Sequence, residues 1–181
     1  MKALSCVVIG SESLVIQCCE ILLSRNFSIK GVVSLNANIE QWAFEQNIPF
    51  FKQNLNIVNT LKELNFDYLF SITNLQVLTN DVLSLAEKYS INFHDSLLPE
   101  YAGIHATSWA LINEEKCHGI TWHLMNENID EGAILRQQVV DISEEETAYS
   151  LNVKCFVAAT ESFTELIDDL ADDRLNIEPK T

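Results

Sequence analysis

Short apolar runs alternate with amphipathic segments along the first half of the chain. A run of four to eight apolar residues indicates a buried strand, and apolar residues at every third or fourth position indicate a helix. The pattern predicts strands or extended segments at residues 4–10, 29–35, 48–51, 68–72 and 89–94, and helices at residues 13–25, 39–46, 57–64 and 81–88. Buried strands separated by amphipathic helices are typical of an α/β fold with a mainly parallel central sheet and helices on both faces.

The second half of the chain has fewer elements. We predict a helix near residues 107–112, a strand at 119–125, an extended segment at 134–141 and a long helix from Thr147 to about Leu170. The acidic run before that helix suits its start, because the helix dipole stabilises carboxylates there. Trp109 is expected in the core beneath its helix. Trp122 and His123 alternate on a strand, so we expect one in the core and the other facing a cleft.

Length, charge and cysteine content narrow the classes of protein to which this chain can belong. The 181 residues are 48% hydrophobic, and no apolar run is long and continuous enough to span a bilayer, so a soluble protein is expected. We predict one domain over residues 1–170 and a polar linker or tail over residues 171–181. Five cysteines without a C-x-x-C pair indicate a reducing cytoplasm. The net charge of −15 repels phosphate backbones and disfavours a nucleic-acid partner.

Two common kinds of ligand site find little support in the sequence. Gly10 follows the first strand, where a dinucleotide-binding fold places its glycines, but Glu12 would repel a phosphate there. The pattern therefore disfavours NAD. The spacing of His105, His118 and His123 matches no compact metal-ligand motif, and we predict no metal site.

Asn92, His94 and Asp130 offer the chemistry of an acyl-transfer site. Asn92 and His94 point the same way on a strand that ends at a Leu-Leu-Pro loop. Open α/β sheets bind ligands at such carboxyl ends. If an amine attacks a formyl carbon, Asn92 and His94 can donate hydrogen bonds to the oxyanion, and Asp130 can accept the surplus proton. The same residues also suit a structural histidine and two turns, so their spacing alone leaves both interpretations open.

Three ordered segments carry a family resemblance. Residues 92–103, Asn-Phe-His-Asp-Ser-Leu-Leu-Pro-Glu-Tyr-Ala-Gly, resemble the N-x-H-x-S-L-L-P-x-(Y/W)-x-G signature of the 10-formyltetrahydrofolate-dependent formyltransferases. Residues 119–125 and 129–135 resemble that family's G-(V/I)-T and (L/I)-D-x-G-x-I-(L/I) segments, in the same order and at similar spacing. The resemblance covers about residues 1–170, which it identifies as a formyltransferase catalytic domain with a Rossmann-like formyltransferase fold.

The resemblance also implies a set of site residues. It assigns the catalytic triad to Asn92, His94 and Asp130, with 10-formyltetrahydrofolate as the formyl donor. The implied folate pocket comprises Asn74, Leu75, Gln76, Val77, Leu78, Ser96 and Ile129. Relatives often carry a tyrosine or arginine with glycine at residues 74–76, and a common aspartate is replaced by Ala133, so the chain departs from the family pattern at both places.

Within the family, residues 105–110 and 118–123 look most like the formyltransferase domains that begin some nonribosomal peptide synthetases. Residues 1–181 show no segment that resembles the glycine loop of the glycinamide ribonucleotide enzyme, and we expect neither the basic insertion nor the extra domain of methionyl-tRNA formyltransferase. We therefore expect an amino acid or aminoacyl amine as acceptor, either free or tethered to a carrier, with neighbouring synthetase domains as partners. A sugar-nucleotide N-formyltransferase and a non-catalytic folate-binding or docking module are the alternatives.

Overall fold

The computed structural model describes residues 3–54 and 56–175, which fall into two units with their boundary between Asn92 and Phe93. Described elements of the first unit are β1 (Ser5–Gly10), α1 (Ser13–Ser24), β2 (Ser28–Ser34), α2 (Ala37–Glu45), β3 (Phe50–Lys52), α3 (Ile57–Leu61), β4 (Phe66–Ile72), α4 (Asn80–Leu83) and β5 (Ala86–His94), whose last two residues belong to the second unit. Parallel pairing joins β1 to β2 and β4, β2 to β3, and β4 to β5.

The first unit is built around β1, every residue of which is buried. Strands of a parallel sheet are apolar on both faces because helices cover them, and each large apolar side chain so buried contributes roughly 2 kcal/mol. Gly10, the last residue of this strand, lies close against Ile72 of β4. A Cβ at position 10 would lie 1.8 Å from the Ile72 carbonyl oxygen. The glycine is therefore required by the close approach of β1 to β4. One cluster of the core comprises Val7, Ile9, Val33, Ile57, Leu61, Phe66, Leu69 and Val82.

The second unit contains α5 (Ala106–Ile112), β6 (Cys117–Leu124), β7 (Ile134–Asp141) and α6 (Ala148–Ala171). β6 and β7 pair antiparallel, and α6 packs against both strands. Trp122 is fully buried between Phe93 and Phe163, with ring centroids 5.3 and 4.7 Å away. Its indole N–H donates to Ser162 Oγ of α6 at 3.0 Å, so the apolar core here includes one satisfied polar contact.

The N-terminus of α6 is held by side chains of the preceding acidic run. Thr147 is the N-cap, and its side chain and that of Ser150 form a reciprocal capping box. Glu146 accepts hydrogen bonds from the Ser143 N–H and the Ser150 hydroxyl and forms an ion pair with Lys154. The predicted start of this helix is thereby confirmed, and so is its predicted end near Leu170.

The strands follow the order β3-β2-β1-β4-β5-β6-β7, and only the last pair is antiparallel among the pairings described above. The predicted α/β fold with a mainly parallel sheet is confirmed. No helix among residues 3–54 and 56–175 is long and apolar enough to cross a bilayer. The last six residues of the predicted tail lie outside the described part of the chain.

Three local predictions were wrong. The helix predicted to reach residue 88 ends at Leu83, because Ala86 already pairs with Phe66 of β4 and the sheet contact overrides the helical preference of this segment. Similarly, α3 ends at Leu61 instead of residue 64. Trp109 is 52% exposed, since α5 turns its small residues Ala106, Thr107 and Ala110 toward the core.

Candidate active site

Asn92 and His94 lie at the carboxyl end of β5, with Asn92 as the last residue of the first unit. The two residues are separated by two positions on β5, and alternate side chains of a strand share a face. Asp130 lies in the loop between β6 and β7, in the left-handed region with φ of 55°. A non-glycine residue rarely adopts this conformation, and such residues concentrate at functional sites.

The second unit brings His94 and Asp130 together. His94 Nδ1 lies 3.6 Å from Asp130 Oδ2, and the two side chains are 6% and 9% exposed. The other ring nitrogen, Nε2, lies 2.9 Å from the main-chain carbonyl oxygen of Tyr101. Because a carbonyl oxygen only accepts, His94 must carry a proton on Nε2 and donate it there. The contact leaves Nδ1 as the nitrogen that faces the carboxylate.

His123 approaches the same carboxylate from β6. Its Nε2 lies 3.6 Å from Asp130 Oδ1, and its Nδ1 donates to the carbonyl oxygen of Leu124 at 2.8 Å. Asp130 thus lies beside two buried imidazoles, each oriented by a backbone carbonyl. No catalytic role for His123 follows from the sequence pattern. Its alternation with the core residue Trp122 was the available signal, and the structure confirms that Trp122 enters the core while His123 reaches the site.

The charge of Asp130 is stabilised by its neighbours. Burial raises the pKa of Asp130, but the His123 and His94 rings and the Gly103 N–H together outweigh burial and leave that pKa below its ordinary value. The Gly103 N–H donates to Asp130 Oδ2 at 2.9 Å. The carboxylate is therefore ionised at neutral pH and is held as a hydrogen-bond acceptor within the site.

Two glycines shape the loops that carry these groups. Gly103 has φ of +100°, which only glycine adopts without strain, and this conformation accompanies the N–H contact with Asp130. Gly132 follows Asp130 by two positions, and a Cβ there would lie 1.5 Å from the Leu124 carbonyl oxygen. The glycine of the Asp-x-Gly segment is thus required by a backbone contact that positions the Asp130 loop against β6.

Ser96 is fully buried in the loop after β5. Its hydroxyl donates to the Glu100 carbonyl oxygen at 2.5 Å, and its own carbonyl accepts from Thr121 Oγ1 at 2.6 Å. Thr121 also accepts from the Leu98 N–H and from Gln137. These bonds fasten the Leu-Leu-Pro loop to β6. The assignment of Ser96 to folate binding stays a prediction.

The other predicted folate residues are divided between the two units. Residues 74–78 follow β4 in the first unit, where Leu75 and Val77 are exposed and Leu78 packs against the core cluster. Asn74 closes the turn, donating to the Gln76 carbonyl oxygen at 2.9 Å. Ile129, in the second unit, is 62% exposed beside Asp130. Two exposed apolar side chains on one short loop suit an apolar ligand, but the role of this segment also stays a prediction.

A metal centre is not formed by the residues that the structure describes. Within that part of the chain, no group of three or more histidine, cysteine, aspartate or glutamate side chains is arranged to hold a metal ion. The 3.6 Å separations between Asp130 and the two histidine rings suit ion pairing. The arrangement can polarise a carbonyl group and accept a proton.

Comparison with known proteins identifies the family. The sequence model of the formyl transferase family matches residues 28–167 of this chain. A methionyl-tRNA formyltransferase of Thermodesulfovibrio yellowstonii is 34% identical over 126 residues, which cover 70% of this chain and 41% of the relative. The bifunctional polymyxin resistance protein ArnA of Wigglesworthia glossinidia brevipalpis is 32% identical over 144 residues, covering 77% and 22%. The chain thus spans less than half the length of these two relatives.

A crystal structure supports the same assignment. The phosphoribosylglycinamide formyltransferase from Anaplasma phagocytophilum has a TM-score of 0.85 to this chain at 27% identity, over 95% of this chain and 89% of that one. The Rossmann-like formyltransferase fold expected from the sequence is therefore confirmed. Since the family model covers well over half of the residues, the chain belongs to the formyl transferase family.

Proposed function

We propose that this chain transfers a formyl group from 10-formyltetrahydrofolate to a primary amine. The observation that carries the proposal is the pairing of His94 with Asp130, which lie in two of the segments that resemble the family's signature. The amine nitrogen attacks the formyl carbon, the bond from that carbon to N10 of the folate breaks, and N10 takes up a proton. The amine nitrogen loses one proton, so that the products are a formamide and tetrahydrofolate.

In this proposal each of the three residues has a distinct task. The Asn92 amide donates to the oxyanion that develops on the formyl oxygen. His94 Nε2 is committed to the Tyr101 carbonyl, so the ring acts through Nδ1. The 3.6 Å from Nδ1 to Asp130 exceeds hydrogen-bond length, so in the doubly protonated ring the second proton lies on Nδ1 and remains available to the oxyanion. One donor of this kind lowers the barrier by about 3 kcal/mol.

Asp130 manages the proton that the amine must lose. Its carboxylate is ionised at neutral pH, because its pKa lies below the ordinary value. A carboxylate with a lowered pKa is a weak base, so we assign it the role of orienting a water that carries the proton away. The negative charge of Asp130 also favours the positive charge that develops on the attacking nitrogen and on His94.

The donor and the reaction are tested with two variants. His94→Ala and Asp130→Asn should each lower turnover by at least about 10²-fold, because each removes a group that acts in the transition state. Both should still bind a stable deaza analogue of 10-formyltetrahydrofolate in calorimetry. Near wild-type turnover in either variant would show that the role assignment is wrong. Folate binding without transfer to any amine would favour the docking-module alternative.

We infer that the acceptor is an amino acid or aminoacyl amine of nonribosomal peptide synthesis. Support comes from residues 105–110 and 118–123, and from the charge of −15, which opposes a tRNA acceptor. In this proposal residues 1–170 are the catalytic domain and residues 171–181 link it to a synthetase module. A panel of free amino acids, aminoacyl carrier proteins, amino-sugar nucleotides and methionyl-tRNA tests the inference. The inference would be contradicted if, among these substrates, an amino-sugar nucleotide or methionyl-tRNA had the highest kcat/KM.

A further inference from the structure

Tyr101 connects the His94 ring to a turn outside the site. Its carbonyl oxygen accepts the His94 Nε2–H at 2.9 Å, and its backbone has φ of 53°. This left-handed conformation is unfavourable for a tyrosine, so contacts elsewhere must hold it. The phenol supplies such contacts, since it lies in the turn that joins α5 to β6.

Two hydrogen bonds fix the phenol. The Tyr101 hydroxyl donates to Glu115 Oε1 at 2.6 Å and accepts from Asn113 Nδ2 at 2.9 Å. The first bond is short and charge-assisted, which is the stronger class of hydrogen bond. It raises the pKa of the Tyr101 phenol, because loss of the proton would set two negative charges side by side. The turn is itself held by a bond from the Glu115 N–H to the Ala110 carbonyl oxygen at 3.0 Å.

The same loop is held at two further points. The Tyr101 ring packs edge-on against His118, with centroids 6.3 Å apart, and His118 Nε2 lies 2.6 Å from the Asp95 carbonyl oxygen. Two residues beyond Tyr101, the Gly103 N–H contacts Asp130. One short loop therefore supplies the carbonyl that orients His94 and the N–H that orients Asp130.

We propose that Tyr101 is a positioning residue for His94, anchored through its phenol by Glu115 and Asn113. The anchored carbonyl keeps the proton of the neutral ring on Nε2 and aims Nδ1 at Asp130. The role in turnover rests on the proposed formyl transfer, whereas the effect on the His94 ring does not. Because the phenol lies in the turn between α5 and β6 and not in the site itself, its loss should alter the His94 ring orientation and kcat more than folate affinity.

The test compares Tyr101→Phe, Glu115→Ala and Glu115→Gln with the wild type by 15N-resolved NMR of the histidine ring nitrogens. In the wild type, neutral His94 should be protonated on Nε2. Tyr101→Phe and Glu115→Ala should each shift the ring signals toward a mixture of tautomers and lower kcat about tenfold at unchanged folate KM. Glu115→Gln keeps an acceptor for the phenol and should restore wild-type signals and kcat.

Control variants distinguish a specific effect on His94 from a general loss of folded structure. They also distinguish failure of this proposal from failure of the proposed function. Tyr149→Phe, at an 80% exposed tyrosine of α6, should change neither readout. The double variant Tyr101→Phe/Glu115→Ala should be no worse than Tyr101→Phe alone, since loss of the hydroxyl already removes the hydrogen bond to Glu115. Unchanged His94 ring signals in Tyr101→Phe overturn the proposal, as does additivity in the double variant. A wild-type protein without turnover overturns the proposed function but leaves the NMR result interpretable.

Discussion

His123 Nε2 lies 3.6 Å from Asp130 Oδ1, on the side of the carboxylate away from the oxygen that faces His94. The two imidazoles share one negative charge, and each is oriented by a hydrogen bond to a main-chain carbonyl oxygen. A buried carboxylate without such neighbours would be driven toward its neutral form. The two histidines, together with the Gly103 N–H, therefore stabilise the charge of the group that the proposed mechanism needs ionised.

His123→Leu should raise the pKa of Asp130, because burial remains while one of the stabilising neighbours is lost. The carboxyl 13C shift of Asp130, followed from pH 2 to 8, measures this directly. His105→Asn serves as the matched control, since His105 is exposed and asparagine tolerates its left-handed backbone. An Asp130 pKa that stays at the wild-type value in His123→Leu would show that His123 does not stabilise the charge.

Glu146 should contribute stability at neutral pH that disappears in acid. Lys154, Ser150 and Ser143 lower its pKa to about 2. A carboxyl group with a lowered pKa in the folded state stabilises the protein above its ordinary pKa of 4.5, and that stability is lost as the pH falls through 2. Glu146→Gln should therefore lower the Tm at pH 7 and converge on the wild type near pH 2.

The neighbouring Glu145→Gln provides the control for Glu146, because it removes the same charge from the same exposed run. It should leave the Tm at pH 7 within about 1 °C of the wild-type value, as is usual for a surface substitution of this kind. Equal losses in the two variants would mean that net charge, and not the contacts of Glu146 at the start of α6, determines the effect.

Gly132→Ala and Gly103→Ala should differ in size because the two glycines are needed for different reasons. At Gly132 a Cβ would lie 1.5 Å from the Leu124 carbonyl oxygen, so the backbone must move. We expect a loss of about 2–4 kcal/mol in unfolding free energy and loss of turnover. At Gly103 no atom lies within 4 Å of the Cβ position, and only its φ of +100° is unfavourable, at about 1–2 kcal/mol. Urea unfolding of both variants measures this difference, and equal losses would contradict it.

Ser162→Ala should destabilise the second unit by about 1–3 kcal/mol, because it leaves the buried Trp122 indole N–H without its acceptor. The same substitution in a Trp122→Phe background should cost less, since no donor is then left unpaired. Chemical denaturation of the four proteins gives the coupling between the two residues. Strict additivity would indicate that the hydrogen bond contributes nothing to stability.

The alternation of apolar runs and amphipathic segments was sufficient to predict most of the strands and helices. β1 and β4 are recognisable because strands buried on both faces are apolar at every position, and α6 because its cap and its periodicity agree. The helix predicted over residues 81–88 was wrong, because pairing with β4 overrode the local preference. Trp109 was misplaced for a related reason, since hydrophobicity does not say which face of a short helix meets the core.

The fold class, the order of the family's segments and the candidate residues Asn92, His94 and Asp130 could all be predicted from the amino-acid sequence. These features depend on local periodicity and on residue type, both of which are written along the chain. The folded chain was needed to show that His94 lies 3.6 Å from Asp130, that His123 approaches the same carboxylate and that His94 Nε2 contacts the Tyr101 carbonyl oxygen. Such contacts join segments that are far apart in the sequence. Loop conformation and packing set their distances, which the spacing of residues along the chain does not reveal.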